Sequence, residues 1–388
     1  MIPIAYNLRN LAVRRTTTLA AGFGLALVVF VLAGVLMLSN GIKKTLGRSG
    51  SDDTAIVIRK GSDGELASGI EEPNVGLVLA QPGVKRDASG NPLGVGEIVV
   101  VILLDKLGTT GQGNVQVRGV PDNARSFRSG TRIVEGRPAQ PGTDEVIVGK
   151  AIAGRFSGLR LGQSFELRKN RPVSVVGVFE DGGSSFESEV WADRDTVRTA
   201  FGREGSVSSL RARLESRAGF DAFKLAVESN RQLNLEAMRE TDYYDKQSEG
   251  TSLFVKAMGL VIAVFFAIGA TIGAMITMYA SVAHRQKEIG TLRAIGFARS
   301  SIILSFLFES FVLAIGGGAV GALSSLALSS VKLSVMNYQT FSEVVIAFEP
   351  TFSIIGAALL IAGVMGILGG FFPAVRAARV NPVEAMRD

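Results

Sequence analysis

Four stretches of this chain carry no charged residue: 16–42, 257–283, 310–331 and 350–375. Each meets or exceeds the ~20 residues an α-helix needs to cross a hydrocarbon core ~30 Å thick. In lipid the backbone must satisfy its own hydrogen bonds, which a helix does within one segment. The chain is therefore expected to be a membrane α-helical protein with four transmembrane helices. Apolar residues make up 47% of its 388 positions and mean hydropathy is +0.31, but the placement of those residues, more than their number, fixes the class.

One long segment lies between the first two spans. Its apolar runs TAIVIRK, EIVVVILL, GNVQVRGV, DEVIVG, QSFELR and PVSVVGVFE are separated by Gly, Pro, Asn and Asp, which reads as strands and turns. Helical patterning appears over 194–201 and from Ala218 through LAVESNRQLNLEAM. A large α+β extracytoplasmic domain is expected between the first and second spans. The segment 231–256 reads equally as a helix entering the membrane or as a linker.

Charge sets the expected topology. The loop 284–299 holds Arg285, Lys287, Arg293 and Arg299 against Glu288; the tail holds Arg376, Arg379 and Arg387 against Glu384 and Asp388; the loop 332–349 holds Lys332 against Glu343 and Glu349. The positive-inside bias then puts both termini and the central loop in the cytoplasm. Lys43, Lys44 and Arg48 oppose this, but long domains translocate with little regard to charge. The expected order is a cytoplasmic amphipathic helix (1–18) with Ile4, Leu8 and Leu11 on one face, a first span (19–40) and the outer domain (41–250). A second span (251–283), the cytoplasmic loop or helix (284–299), a third span (300–331), an outer loop (332–349), a fourth span (350–375) and a tail (376–388) follow. The first apolar run is too long for a signal peptide and lacks a small-residue cleavage site, so it is read as an uncleaved span.

Several chemistries are excluded. Cysteine is absent and there is one histidine, so thiol catalysis and His/Cys metal sites are ruled out, and no metal is expected. A phosphate-cradling Walker A loop needs G-x-x-x-x-G-K-[ST]; Gly149-Lys150 is followed by Ala151 and lacks the upstream glycine. Net charge is +6, but the cations flank spans without forming an aromatic-laced patch, so no nucleic acid is expected. The chain is read as a non-enzyme.

The residues to watch lie in the central loop, HRQKEIGTLRAIG at 284–296. Ile289, Leu292 and Ile295 recur at three-residue spacing, as on one face of a short helix seated in a partner's groove. Positive-inside bias explains Arg285, Lys287 and Arg299 but not Glu288, Gly290 and Gly296, nor an apolar face on so short a loop. Glu309 is an intramembrane acid, read mainly as a structural ion-pair partner. Gly269/Gly273, Gly317/Gly321 and Gly366/Gly370 are each four apart, a spacing that lets helices approach closely in lipid. Gly316–Gly318 reads as packing or as a flexible point, and Pro373 as the close or kink of the fourth span.

RQKEIGTLRAIG (285–296), LFESFVLAIGGGAVG (307–321) and PAVRAARVNPVEAMR (373–387), with EGRPA, DEVIVGKAIAG, LRLGQSFEL and VVGVFEDGG in the large domain, resemble ABC transporter permease subunits of the MacB, FtsX and LolC/LolE type. The tail has Met386 where that family usually has Leu. The resemblance covers essentially the whole chain. It implies a mechanotransmission permease coupled to its ATPase through Arg285, Glu288, Ile289, Gly290, Leu292, Arg293, Ala294 and Gly296. It implies two cytoplasmic ABC ATPase subunits that bind the ATP and Mg, a second permease copy or paralogue, surrounding membrane lipid, and a periplasmic adaptor in some assemblies. No cofactor is expected in this chain. The implied task is export or extraction of a substrate from the outer leaflet or periplasm in a bacterial inner membrane. The alternatives are an FtsX-like scaffold that activates a cell-wall hydrolase and a membrane-anchored binding domain; the latter leaves the central loop unexplained.

Overall fold

A computed structural model of the chain describes residues 15–381. The amphipathic helix expected over 1–18 falls mostly outside these residues, as does most of the tail. The described chain divides into two compact units: a helical one (up to Asn40, Leu253–Val331 and from Ala347) and a large domain (Gly41–Ser252 with Lys332–Ile346).

The helical unit contains the four helices long and apolar enough to cross a membrane: Arg15–Gly47, Glu240–His284, Arg299–Ser325 and Phe352–Ala378. The first two extend past the unit's sequence limits. The second runs 45 residues without a break, so the stretch read as helix or linker is helix from Glu240 onward.

Glycines set how closely the helices of this unit approach. A methyl added at Gly317 would stand 2.5 Å from the Gly22 carbonyl oxygen, and one at Gly321 would overlap that of Ala26. Gly366 and Gly370 meet Ser310 and Ala314 of the third span in the same way, and Gly318 meets Ala362. Within the run 316–318, Gly317 and Gly318 therefore pack inside a continuous helix, while no described residue lies within 4 Å of a methyl built at Gly316. By contrast, no described residue lies within 4 Å of a methyl built at Gly269 or Gly273. The fourth helix also continues past Pro373 to Ala378. That proline deletes one N–H of the ladder without ending the helix.

The large domain is built on a ten-stranded sheet. In spatial order its strands are Leu235–Arg239, Thr54–Arg59, Ser209–Arg213, Gly94–Asp105, Gln112–Val120, Glu189–Asp193, Glu145–Gly149, Arg171–Glu180 and Arg132–Gly136, with Ser164–Arg168 also paired to Arg171–Glu180. Most pairs are antiparallel; Gln112–Val120 with Glu189–Asp193 and Glu145–Gly149 with Arg171–Glu180 run parallel. Ser164–Arg168 alternates exposed and buried, as a strand with one wet face must. Thr54–Arg59 is buried at five of its six positions, as a central strand is.

Two readings change here. Helix Phe220–Ser229 stops short of LEAM, which forms the strand Leu235–Arg239 at the sheet edge. Asn234, at φ +48°, turns the chain, and Leu235 and Ala237 then alternate into the core. Residues 332–349, read as a loop, hold a β-hairpin, Lys332–Asn337 with Ser342–Ala347. Residues 332–346 belong to the large domain: Lys106 Nζ lies 2.6 Å from Glu343, Asn114 donates to the Phe341 carbonyl at 2.6 Å, and Asn337 donates to Gln247 at 3.0 Å. The hairpin's contacts are to residues more than eighty positions away, which local patterning does not register.

Candidate functional site

The central loop is a distinct short helix. His284 ends the second helix, Arg285 leaves helical geometry for one residue (φ −111°, ψ 17°), and Gln286–Ala294 forms a new helix. Its end explains the closing glycine of the motif. Gly296 sits at φ +104°, a conformation open to a residue without Cβ. From there the Gly296 N–H donates to the Arg293 carbonyl at 3.2 Å and the Phe297 N–H to the Leu292 carbonyl at 3.1 Å, the paired bonds of a Schellman stop.

The three apolar residues do not share one outward face. Ile289 is buried in the chain's own bundle with Met278, Val282, Ile302, Phe306 and Ala374. Leu292 is half-buried, and Ile295, already past the helix, is 72% exposed. Gly290 is buried and Arg293 half-buried, its Nη1 donating to the Phe297 carbonyl at 3.3 Å. The outward surface is Lys287, Glu288, Thr291, Ala294 and Ile295: mixed charge ending in one apolar tip.

Arg285 turns inward. It is buried, its Nη1 donates to Glu309 Oε2 at 2.9 Å, its Nε to Glu288 Oε2 at 3.2 Å, and its guanidinium lies 5.1 Å from the centre of the Phe306 ring. Glu309 is thus held by a cation from outside its own helix. A buried carboxylate in such a span needs a partner of this kind.

A second charged centre, which sequence reading did not find, lies inside the large domain. Arg118 bonds Glu65 (2.9 Å), Glu97 (2.8 Å) and Glu189 (2.7 Å); Arg211 bonds Glu65 (2.8 Å), Glu97 (2.7 Å) and Glu240 (2.7 Å); Arg128 bonds Glu97 at 2.9 Å. All seven side chains are buried. Glu240 opens the second helix, and Tyr243 and Tyr244 one turn on join the same network: the Tyr243 hydroxyl accepts from the Glu65 N–H at 3.2 Å, and Arg211 donates to Tyr244 at 3.1 Å. The available clue was charge inside otherwise apolar strands, as in QVRGV and SLRAR. Neither sequence shows which strands become neighbours.

Burial alone would raise the Glu97 carboxyl, but Arg128, Arg211 and Arg118 overcome it and lower the pKa from 4.5 to about 2. Glu65 is likewise held well below its ordinary value by Arg118 and Arg211 against the effect of burial. Because the folded values lie below the unfolded ones, this stabilisation is complete above the unfolded pKa and is lost as pH falls through the folded pKa. The fluorescence of Trp191, the one tryptophan of the sequence, checks it. This side chain is buried and donates to Glu189 at 2.9 Å. The unfolding midpoint should be flat above about pH 5 and fall steadily below it. A midpoint unchanged down to pH 2 would contradict the charge assignment.

Among the described residues no group of three or more His, Asp or Glu is placed to hold a metal. A four-helix membrane unit joined to a large sheet domain, with a short charged helix between the second and third membrane helices, defines a polytopic membrane protein. Residues 17–230 match the MacB-like periplasmic core domain, and residues 260–382 match the FtsX-like permease C-terminal domain. The chain belongs to the MacB/FtsX family of ABC transporter permeases. It is 31% identical over 241 residues to the macrolide export ATP-binding/permease protein MacB of Neisseria gonorrhoeae, covering 58% of this chain and 35% of that protein. To MacB of Escherichia coli K12 it is 29% identical over 229 residues, covering 56% and 34%. The chain thus spans about a third of the length of these curated relatives. Among solved structures, the extracellular domain of the noncanonic ABC-type transporter YknZ from Gram-positive bacteria overlays with TM-score 0.36 and 18% identity, covering 48% of this chain and 99% of that one. The periplasmic region of MacB from Actinobacillus actinomycetemcomitans gives 0.38 and 13%, covering 53% and 96%.

Proposed function

We propose that this chain is a bacterial inner-membrane permease subunit that converts ATP hydrolysis by a separate cytoplasmic ATPase into movement of its large domain. The task is export, or extraction of a substrate from the outer leaflet or periplasm. The observation that carries this reading is the Gln286–Ala294 helix: charged on its outward surface, stopped by Gly296, and joined through one residue to a 45-residue helix whose first turn begins in the large domain. No Walker A loop lies within these 388 residues, and we assign ATP and Mg to the ATPase. Two ATPase subunits and a second permease copy or paralogue complete the assembly, with both termini cytoplasmic as the positive-inside bias supports.

Ile295→Asp and Glu288→Lys test the docking. Both side chains are well exposed; Ile295→Asp should leave membrane insertion at the wild-type level, since a surface change of this kind shifts stability by only about 0.5 kcal/mol, whereas Glu288→Lys also removes an acceptor of Arg285 and is compared with it. Co-purification of the ATPase should be lost. A bulky residue at Gly296 should have the same effect by opening the helix stop. If the ATPase still co-purifies and its turnover still responds to the permease, the docking assignment fails. Recovery of a cell-wall hydrolase bound to the wild-type complex would favour the FtsX-like scaffold reading.

A further inference from the structure

We infer that Arg285 and Glu309 form the joint that fixes the short central helix to the third span, which makes Glu309 a positioning residue. This deepens the proposed function and rests on it for the ATP-driven part alone.

Three observations meet at this place. First, the polypeptide between the second helix and the central helix is a single non-helical residue, Arg285. A one-residue break is the natural pivot between two rigid rods, and here the pivot residue itself is tied down. Second, what holds it lies on another element. Glu309 and Phe306 are three apart on the third helix and so share a face; the carboxylate takes the guanidinium at 2.9 Å while the ring lies 5.1 Å from it. Third, one turn along the central helix, Ile289 packs into the cluster with Ile302 and Phe306 of the same third-helix face. The central helix is thus fastened twice, by one ionic and one apolar contact. A push on its outward surface would enter the third span as well as the second. A proton-carrying role fits poorly, because this carboxylate is closed by a permanent cation.

Glu288 sharpens the assignment. It also accepts from Arg285, yet its side chain is 56% exposed against 4% for Glu309. The exposed carboxylate is left on the docking surface, and the buried one serves the joint.

The absence of cysteine gives a clean measurement. A nitroxide on Thr291→Cys, on the outward surface, reports the mobility of the central helix in the full chain reconstituted in lipid without any partner. We expect an immobilised spectrum in the otherwise wild-type protein and a mobile one in Glu309→Gln. Because Glu309→Gln takes the buried carboxylate from Arg285, leaving it Glu288, and could impair folding, the double variant Arg285→Gln/Glu309→Gln, which removes both charges of the buried pair, is the decisive one. It should insert and purify like wild type yet keep the mobile spectrum. An immobilised spectrum in the double variant overturns the joint. In the complex with the ATPase, a label on Gln339→Cys in the hairpin should change its inter-copy distance on nucleotide trapping. The double variant should lose that change while ATP hydrolysis continues; a preserved change also overturns the proposal. A wild-type complex with no nucleotide response would refute the functional reading, and the mobility comparison would still decide the joint.

Discussion

Arg118→Met is expected to cost the large domain about 3–5 kcal/mol, the usual consequence of removing one partner from a buried ion network. Met approximates the aliphatic stem, so the loss is that of the charge and not of volume. In the wild-type protein Glu65, Glu97, Glu189 and Glu240 face Arg118, Arg128 and Arg211. The variant leaves four buried carboxylates against two cations. Marginal stability of about 5–15 kcal/mol makes such a loss a large fraction of the whole. Trp191, which shares Glu189 with Arg118, reports it as a lowered unfolding midpoint in the full chain. The pH dependence distinguishes this mechanism from a packing defect. Carboxylates that have lost their cation should take up protons more readily, so the gap between variant and wild type should narrow as pH falls toward 4. A gap that stays constant across that range would mean that charge is not the cause.

Gly321→Ala should destabilise the helical unit, whereas Gly269→Ala should be neutral or mildly stabilising. Ala normally improves a helix interior over Gly by about 0.5–1 kcal/mol. At Gly321 that gain is overwhelmed, because the new methyl falls on the Ala26 carbonyl and backbone of the first helix must move. Overpacking of this kind costs about 1–3 kcal/mol, with rigid backbone placing it at the upper end. At Gly269 no described residue lies within 4 Å of the added methyl, and only the helix-propensity gain remains. Thermal unfolding of the full chain in detergent gives both signs. Equal effects at the two sites would refute the contact assignment. A weakened assembly from Gly269→Ala would instead report a neighbour outside the described residues.

This contrast also shows what periodicity delivers. Gly317/Gly321, Gly366/Gly370 and Gly269/Gly273 have the same spacing and read identically. Two of the pairs sit against the first and third helices, and the other is open among the described residues, because spacing says that a close approach is possible but not which helix fills it. The central helix repeats the lesson. Its existence was legible from composition, yet its three apolar residues divide between a buried Ile289, a half-buried Leu292 and an exposed Ile295. The helix is only nine residues long, so the last of the three falls beyond its end. Local periods also placed six strands and the helix Arg194–Phe201. They failed at LEAM, where helical composition gives way to a sheet edge that offers hydrogen-bond partners.

The sequence by itself determined the four spans, because an apolar run of that length has one stable way to cross lipid, and it showed that these 388 residues hold no glycine loop of the phosphate-cradling kind. It also marked Glu309 as a residue requiring a partner. Only the tertiary structure decided that Arg285 meets that demand, that seven charged side chains converge inside the sheet, and that the hairpin at 332–347 joins the large domain over most of its length. Each of these pairs groups far apart in the chain. A buried charge states a demand in the sequence, but which group meets it depends on the strands and helices that folding makes neighbours.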